Sequence, residues 1–149
     1  MLLSKSGSHW SVVIKPVIMI PLEELDVYKV SMEIGDLIWD KVEKWPAFAR
    51  DTLGKQFVRS ADSIALNIAE GYGRYFYKEN KNFCFYSRGS GKETSSALKK
   101  AIMRKLVSKE ENDLIETKLI SYFKLINGYI KSIGSVKSDG ESETPINDK

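Results

Sequence analysis

Apolar residues recur along most of this chain at the three- and four-residue steps of an α-helix. Val27, Val30, Ile34, Leu37, Ile38, Val42 and Trp45 form one stripe of about five turns, which opens with Asp26 as N-cap and is closed by Pro46. After a predicted loop over Pro46 to Asp51, capped by Thr52 or Asp51, a second stripe runs through Leu53, Phe57, Ala61, Ile64, Ala65 and Ile68. Gly71 and Gly73 are expected to stop it in the left-handed conformation common at helix ends. A third segment from Phe76 to Val107 holds no proline and reads as the longest helix, with Phe76, Phe83, Ala97, Leu98 and Ala101 on one side. Ser108 and Glu111 have the spacing of a capping box, so a fourth helix begins there. Along it Ile115, Leu119, Tyr122, Ile126, Tyr129 and Ile133 make the stripe, Leu114, Leu125 and Ile130 widen it, and Gly134 ends it.

Four amphipathic helices with short connections and no strand pattern predict an all-α fold, an antiparallel up-and-down four-helix bundle over residues 21–134. Residues 1–20 are set aside as a disordered or mis-started extension: Lys15 and Pro16 split their apolar run, which is too short for a membrane span. Residues 135–149 are polar and poor in aromatics, and read as a disordered tail. The fourth helix carries more apolar positions than one seam uses. A lone bundle should therefore leave Tyr122, Phe123, Leu125 and Ile130 partly exposed, which predicts an oligomer.

Composition narrows the chemistry. Of 149 residues, one is cysteine, Cys84, and one is histidine, His9, in the extension. That leaves no intrachain disulfide and fits a reducing, cytoplasmic setting. It also argues against triad chemistry and His-based metal sites, so neither an enzymatic activity nor a metal or other cofactor is expected. Two glycine strings are decoys. Gly89 to Thr94 lacks the upstream glycine, the Ser or Thr after Lys92 and the strand of a phosphate loop, and Gly71-Tyr72-Gly73 lacks the third glycine of a dinucleotide site.

The net charge of +3 hides a segregation: residues 50–109 hold 13 Lys and Arg against 5 Asp and Glu, whereas residues 22–45 hold 3 against 7. Either acidic helices neutralise basic ones, within the monomer or across an oligomer interface, or the middle of the chain presents a polyanion-binding face. Lys81, Arg88, Lys92 and Lys99 lie within about 40° of one another at 100° per residue, a line of cations that could track phosphates. Tyr75, Tyr77 and Phe85 nearby could stack on bases. On the second helix Arg59, Ser63, Asn67, Glu70 and Arg74 form a polar stripe, expected to be a hydrogen-bonded network fixing helix register or a subunit interface, with Glu70 paired to Arg59, Arg74 or Arg88.

The stretch QFVRSADSIALNIAEGYGR (residues 56–74), followed by SRGSGKE (residues 87–93), resembles the four-helix bundle proteins of the 23S rRNA intervening-sequence family. The resemblance implies an up-and-down bundle assembled into a ring, usually a homopentamer, without enzymatic activity. Some members of that family are encoded inside sequences inserted in 23S rRNA genes. The accessory proteins of diversity-generating retroelements share the architecture and work with RNA and a reverse transcriptase. RNA or other nucleic acid, and a reverse transcriptase, are thus the partners implied; a scaffold or protein-interaction ring without nucleic-acid binding is the other reading. The chain departs from the pattern at Gly91, usually aliphatic, and at Cys84 and Ser87, where Leu and Ala are more usual. Two glycines within three residues are expected to loosen or bend the third helix.

Overall fold

The structure, a computed structural model, describes residues 20–135 together with the backbone of residues 2–6 and 9–13. Four long helices dominate. Helix α1 spans Asp26–Val42. Helix α2 runs without a break through an α-helical Ala47–Ala49, a π-helical turn at Arg50–Gly54 and an α-helical Lys55–Tyr72. Helix α3 spans Tyr77–Met103 and α4 spans Lys109–Ser132. Each packs on its sequence neighbours, and α4 closes the square against α1. Connections as short as Gly73–Phe76 and Arg104–Ser108 force successive helices to reverse direction, which gives the up-and-down arrangement.

The predicted stripes form the core. Ile34, Ile38, Phe57, Ala61, Ile64, Ile68, Tyr122 and Ile126 are wholly buried, and Trp45 stacks on Phe57 with ring centroids 6.0 Å apart. On α3 the apolar period is an incomplete guide. Phe76 is exposed and Phe83 only half-buried, while the inward line is Cys84, Ser87, Gly91, Thr94, Ala97, Leu98 and Ala101. Small side chains there bring α3 close to its neighbours, and hydroxyls fill the space. Ser87 donates to the Ile64 carbonyl at 2.7 Å, which spends its proton, so Tyr122 donates to Ser87 across 2.6 Å. Thr94 lies 3.0 Å from the Ser60 hydroxyl and 2.8 Å from the Ser90 carbonyl. Among the described residues no buried side-chain polar atom lacks a partner, so this polar layer escapes the desolvation cost of unpaired groups.

Several boundaries differ from expectation for identifiable reasons. Leu25, not Asp26, is the N-cap of α1, and Asp26 sits in the first turn, where its charge favours the helix dipole. The loop predicted over Pro46 to Asp51 is already helical: Pro46 is the N-cap, and the Thr52 hydroxyl donates back to the Phe48 carbonyl at 2.7 Å instead of capping. Gly71 lies inside α2, and Gly73, at φ −76°, is its C-cap in right-handed geometry. Gly71 serves close approach instead, since a Cβ there would stand 2.8 Å from the Phe83 Cβ and 3.0 Å from the Asn80 carbonyl.

Helix α3 stops four residues short of Val107 because Lys105 turns left-handed, at φ 58°. The Leu106 amide then donates to the Ala101 carbonyl at 2.9 Å and the Lys105 amide to Ile102 at 3.1 Å, the paired bonds of a Schellman motif. The capping box at Ser108 and Glu111 forms both of its bonds, and Gly134 ends α4 at φ 72°. Helix α3 is continuous through Gly89 and Gly91, and Gly91 seats an aromatic pair: a Cβ there would lie 2.8 Å from Tyr122 and 3.1 Å from Phe123.

Outside the bundle, Leu2–Ser6 and His9–Val13 pair as a two-stranded antiparallel ladder in a region where no strand was expected. The rest of the expected extension, apart from Ile20, and the expected tail beyond Ser135 lie outside the described residues. No helix among the described residues is long and apolar enough to cross a membrane.

Candidate nucleic-acid interface

Of the four cations singled out on α3, Arg88 and Lys92 meet α4 directly. The Arg88 guanidinium donates to Asn127 Oδ1 on α4 at 3.0 Å and lies over the Phe85 ring, 5.1 Å from its centroid. Lys92 places its ammonium 4.2 Å from the centroid of the Phe123 ring. Lys81 is half-buried near the N-terminal end of α3, and Lys99 is exposed near the other end. Arg88 is therefore tied to Asn127, not to Glu70. Asn127 and Phe123 were missed by sequence reasoning because their pairing with α3 depends on how two helices are rotated against each other.

Ion pairing decides what becomes of the segregated charge inside one subunit. Among the described residues the inter-helix ion pairs are Lys41–Glu111 at 2.9 Å and Lys118–Glu33 at 2.6 Å, both joining α1 to α4. The former, with the cap bonds at Ser108, holds the Glu111 carboxyl below the usual range. Glu33 of the acidic α1 is thus neutralised by Lys118 of α4, while Lys41 of α1 neutralises Glu111 of α4, and among the described residues no ion pair falls on Lys81, Arg88, Lys92 or Lys99.

The polar stripe of α2 has a different geometry from the one expected. Ser63 donates to the Arg59 carbonyl at 2.8 Å, Asn67 to the Ser63 carbonyl at 2.8 Å, and Arg74 pairs with Glu70 at 2.7 Å. Every one of these bonds spans four residues along the same chain segment, the last reaching just past the end of α2 to Arg74. Towards α3, the Arg74 guanidinium lies over the Phe83 ring, 4.9 Å from its centroid. Among the described residues, the side-chain bonds that cross between helices in the core are those of Ser60 with Thr94 and of Ser87 with Tyr122 and the Ile64 carbonyl. Their signal was the run of small and hydroxyl residues at positions 84, 87, 91 and 94, which a hydrophobic period does not count.

On the opposite side of the bundle, α1 and α2 frame a groove walled by Trp39, Val58 and Leu66, with Arg59 and Asp62 at its margin. Trp39 and Leu66 are 56% and 66% exposed. Asp62 enters beside Gly35, and burial, then the nearby Asp36 charge, pushes its carboxyl above the ordinary range. The expected partial exposure on α4 holds for Phe123, Leu125 and Ile130, which are half-buried against the core, and fails for Tyr122, which is fully buried; Leu114 and Ile120 are the exposed large residues there. The larger exposed surfaces are this groove and the aromatics Tyr75, Phe76, Tyr77, Phe85 and Tyr86 near the start of α3.

The profile of the 23S rRNA-intervening sequence proteins matches residues 23–128, which covers α1 to α3 and most of α4. The chain belongs to this family. A protein of unknown function from the S23 ribosomal protein family of Bacteroides thetaiotaomicron has a similar fold: TM-score 0.64, 22% identity, 71% of this chain and 99% of that one. No curated protein matches the chain. Within this 23S rRNA-intervening sequence protein, the matched span includes both the basic flank of α3 and the polar stripe of α2.

Proposed function

We propose that this family member is a non-enzymatic, RNA-associated bundle that works as a cytoplasmic oligomer, a homopentamer being favoured, and that binds RNA through the basic flank of α3. The observation that carries this reading is that, among the described residues, the inter-helix ion pairs engage α1 and α4 and none involves Lys81, Arg88, Lys92 or Lys99. Cations in a line, beside exposed aromatic rings, suit the backbone and bases of a single strand. An oligomer multiplies the modest charge of each subunit into a continuous basic surface, and an accessory role beside a reverse transcriptase is compatible with it.

A salt titration of binding to generic single-stranded RNA tests the reading. Changing both Lys92 and Lys99 to Gln should leave assembly intact, weaken binding about equally for all sequences, and shrink the salt slope by about 0.7 per lost contact. Unchanged affinity and slope would refute phosphate tracking. The exposed Trp39 and Leu66 favour a second reading, a protein-interaction ring in which the α3 cations meet acidic neighbours. Loss of the oligomer in the same double variant, seen by light scattering, would select it.

A further inference from the structure

At the N-terminal end of α3, Tyr77, Lys78, Lys81, Asn82 and Phe85 line a cavity of about 480 Å³. Ile133 and Gly134, where the chain leaves α4, complete its wall. We infer that this cavity binds one nucleotide of a single-stranded polynucleotide, its base against Tyr77 or Phe85 and its phosphate on Lys78 and Lys81. The inference rests on the RNA-associated reading and adds a base-dependent site to a surface that would otherwise sense phosphates alone.

Three features carry it. Lys81 belongs both to the basic line of α3 and to the cavity, so a strand following Lys99, Lys92 and Arg88 arrives at this opening. Tyr77 and Phe85 are two turns apart, about 12 Å along the axis, with Lys81 midway; aromatic surface thus lies at both ends and a cation between. Both rings are substantially exposed, 67% and 43%. Tyr77 is also backed by Gly134: a Cβ at that left-handed glycine would stand 3.1 Å from the ring, so the turn leaves room for Tyr77.

The lining separates a nucleotide from simpler occupants. It carries two ammonium groups, one amide and no carboxylate, beside Tyr77, Phe85 and Ile133. A bare inorganic anion would leave the apolar surfaces unused, and an uncharged apolar ligand would leave the cations unused. A base with its phosphate uses both, and the volume lies in the range of small-ligand sites.

The test compares a labelled 12-nucleotide oligoadenylate with an abasic strand carrying the same number of phosphates, titrated against the full chain at several salt concentrations. The wild type should prefer the base-bearing strand. Phe85→Leu and Tyr77→Leu should each weaken oligoadenylate binding by about 5- to 150-fold, the range of one lost base stack, with little effect on the abasic strand or the salt slope. Lys81→Gln should lower the slope for both strands. If both aromatic variants bind oligoadenylate like the wild type while the Lys92 and Lys99 double variant still flattens the slope, the cavity assignment is wrong and the RNA reading stands. If the wild type shows no salt-dependent binding to either strand, both fall. Should Tyr77→Leu disturb the turn at Gly134, visible as a lowered melting temperature, Phe85→Leu alone decides the cavity assignment.

Discussion

The two halves of the core are built from different materials. Around α1 and α4 the interior is branched aliphatic: Val27, Val30, Ile34 and Ile38 face Ile115, Leu119 and Ile126. Where α3 meets α2 and α4 it is Cys84, Ser87, Gly91 and Thr94, joined by hydroxyl bonds to Ser60, Tyr122 and the Ile64 carbonyl. Large apolar side chains gain stability by area removed from water and accept neighbours of many shapes. Small side chains gain it by close approach, and every added atom meets something. The first half should therefore be sensitive to deletion and the second to insertion.

The largest effect should come from deletion in the aliphatic half. Ile126→Ala is expected to cost about 2–5 kcal/mol, since the side chain is fully buried and its neighbours relax only partly. A loss below about 0.5 kcal/mol in reversible denaturation would mean that this half is no more deletion-sensitive than a surface. Insertion in the other half should come next: Gly91→Ala forces the Tyr122 and Phe123 rings aside and should cost about 1–3 kcal/mol. Gly89, two residues away, has nothing within 4 Å of the corresponding Cβ position. Gly89→Ala should therefore stabilise by about 0.5–1 kcal/mol, because helix propensity alone acts there. If the two alanines change the melting temperature in the same direction, close packing at Gly91 is not what sets this half apart.

A smaller effect is expected from the hydroxyls. Thr94→Val keeps the volume and removes the bond to Ser60, at a cost of about 0.5–1.5 kcal/mol by chemical denaturation. The smallest concerns Cys84, whose thiol burial pushes up to about 11. The unfolded chain gives up this proton first, near 9. The contribution to stability is therefore complete below pH 9 and lost as pH rises towards 11. A Cys84→Ala variant should flatten the decline in stability between those limits, and in the wild type the thiol should react with a disulfide reagent at pH 8 only as fast as the chain opens.

The same division marks how legible the chain was. On α1, α2 and α4 the inward positions are aliphatic at helical spacing, so Ile34, Ile64 and Ile126 could be placed in the core from order alone. The capping box at Ser108 was equally readable, because both of its partners lie within one turn. On α3 the inward residues are chemically indistinguishable from surface residues, and only packing against Tyr122 and Ile64 makes Ser87 a core residue. At the candidate site the line of four cations was visible, since it depends on spacing along one helix. Its anchoring to Asn127 and Phe123 was not.

Local sequence by itself determined the number of helices, most of their apolar faces and the capping of α4, because each of these is settled by interactions within a few residues. Tertiary structure decided the rest. It made Gly71 and Gly91 points of contact, not helix breaks, because another helix fills the space a side chain would take. It paired α1 with α4 through Lys41–Glu111 and Lys118–Glu33, and among the described residues no carboxylate pairs with Lys81, Arg88, Lys92 or Lys99, a consequence of which helices lie side by side, which no single helix encodes.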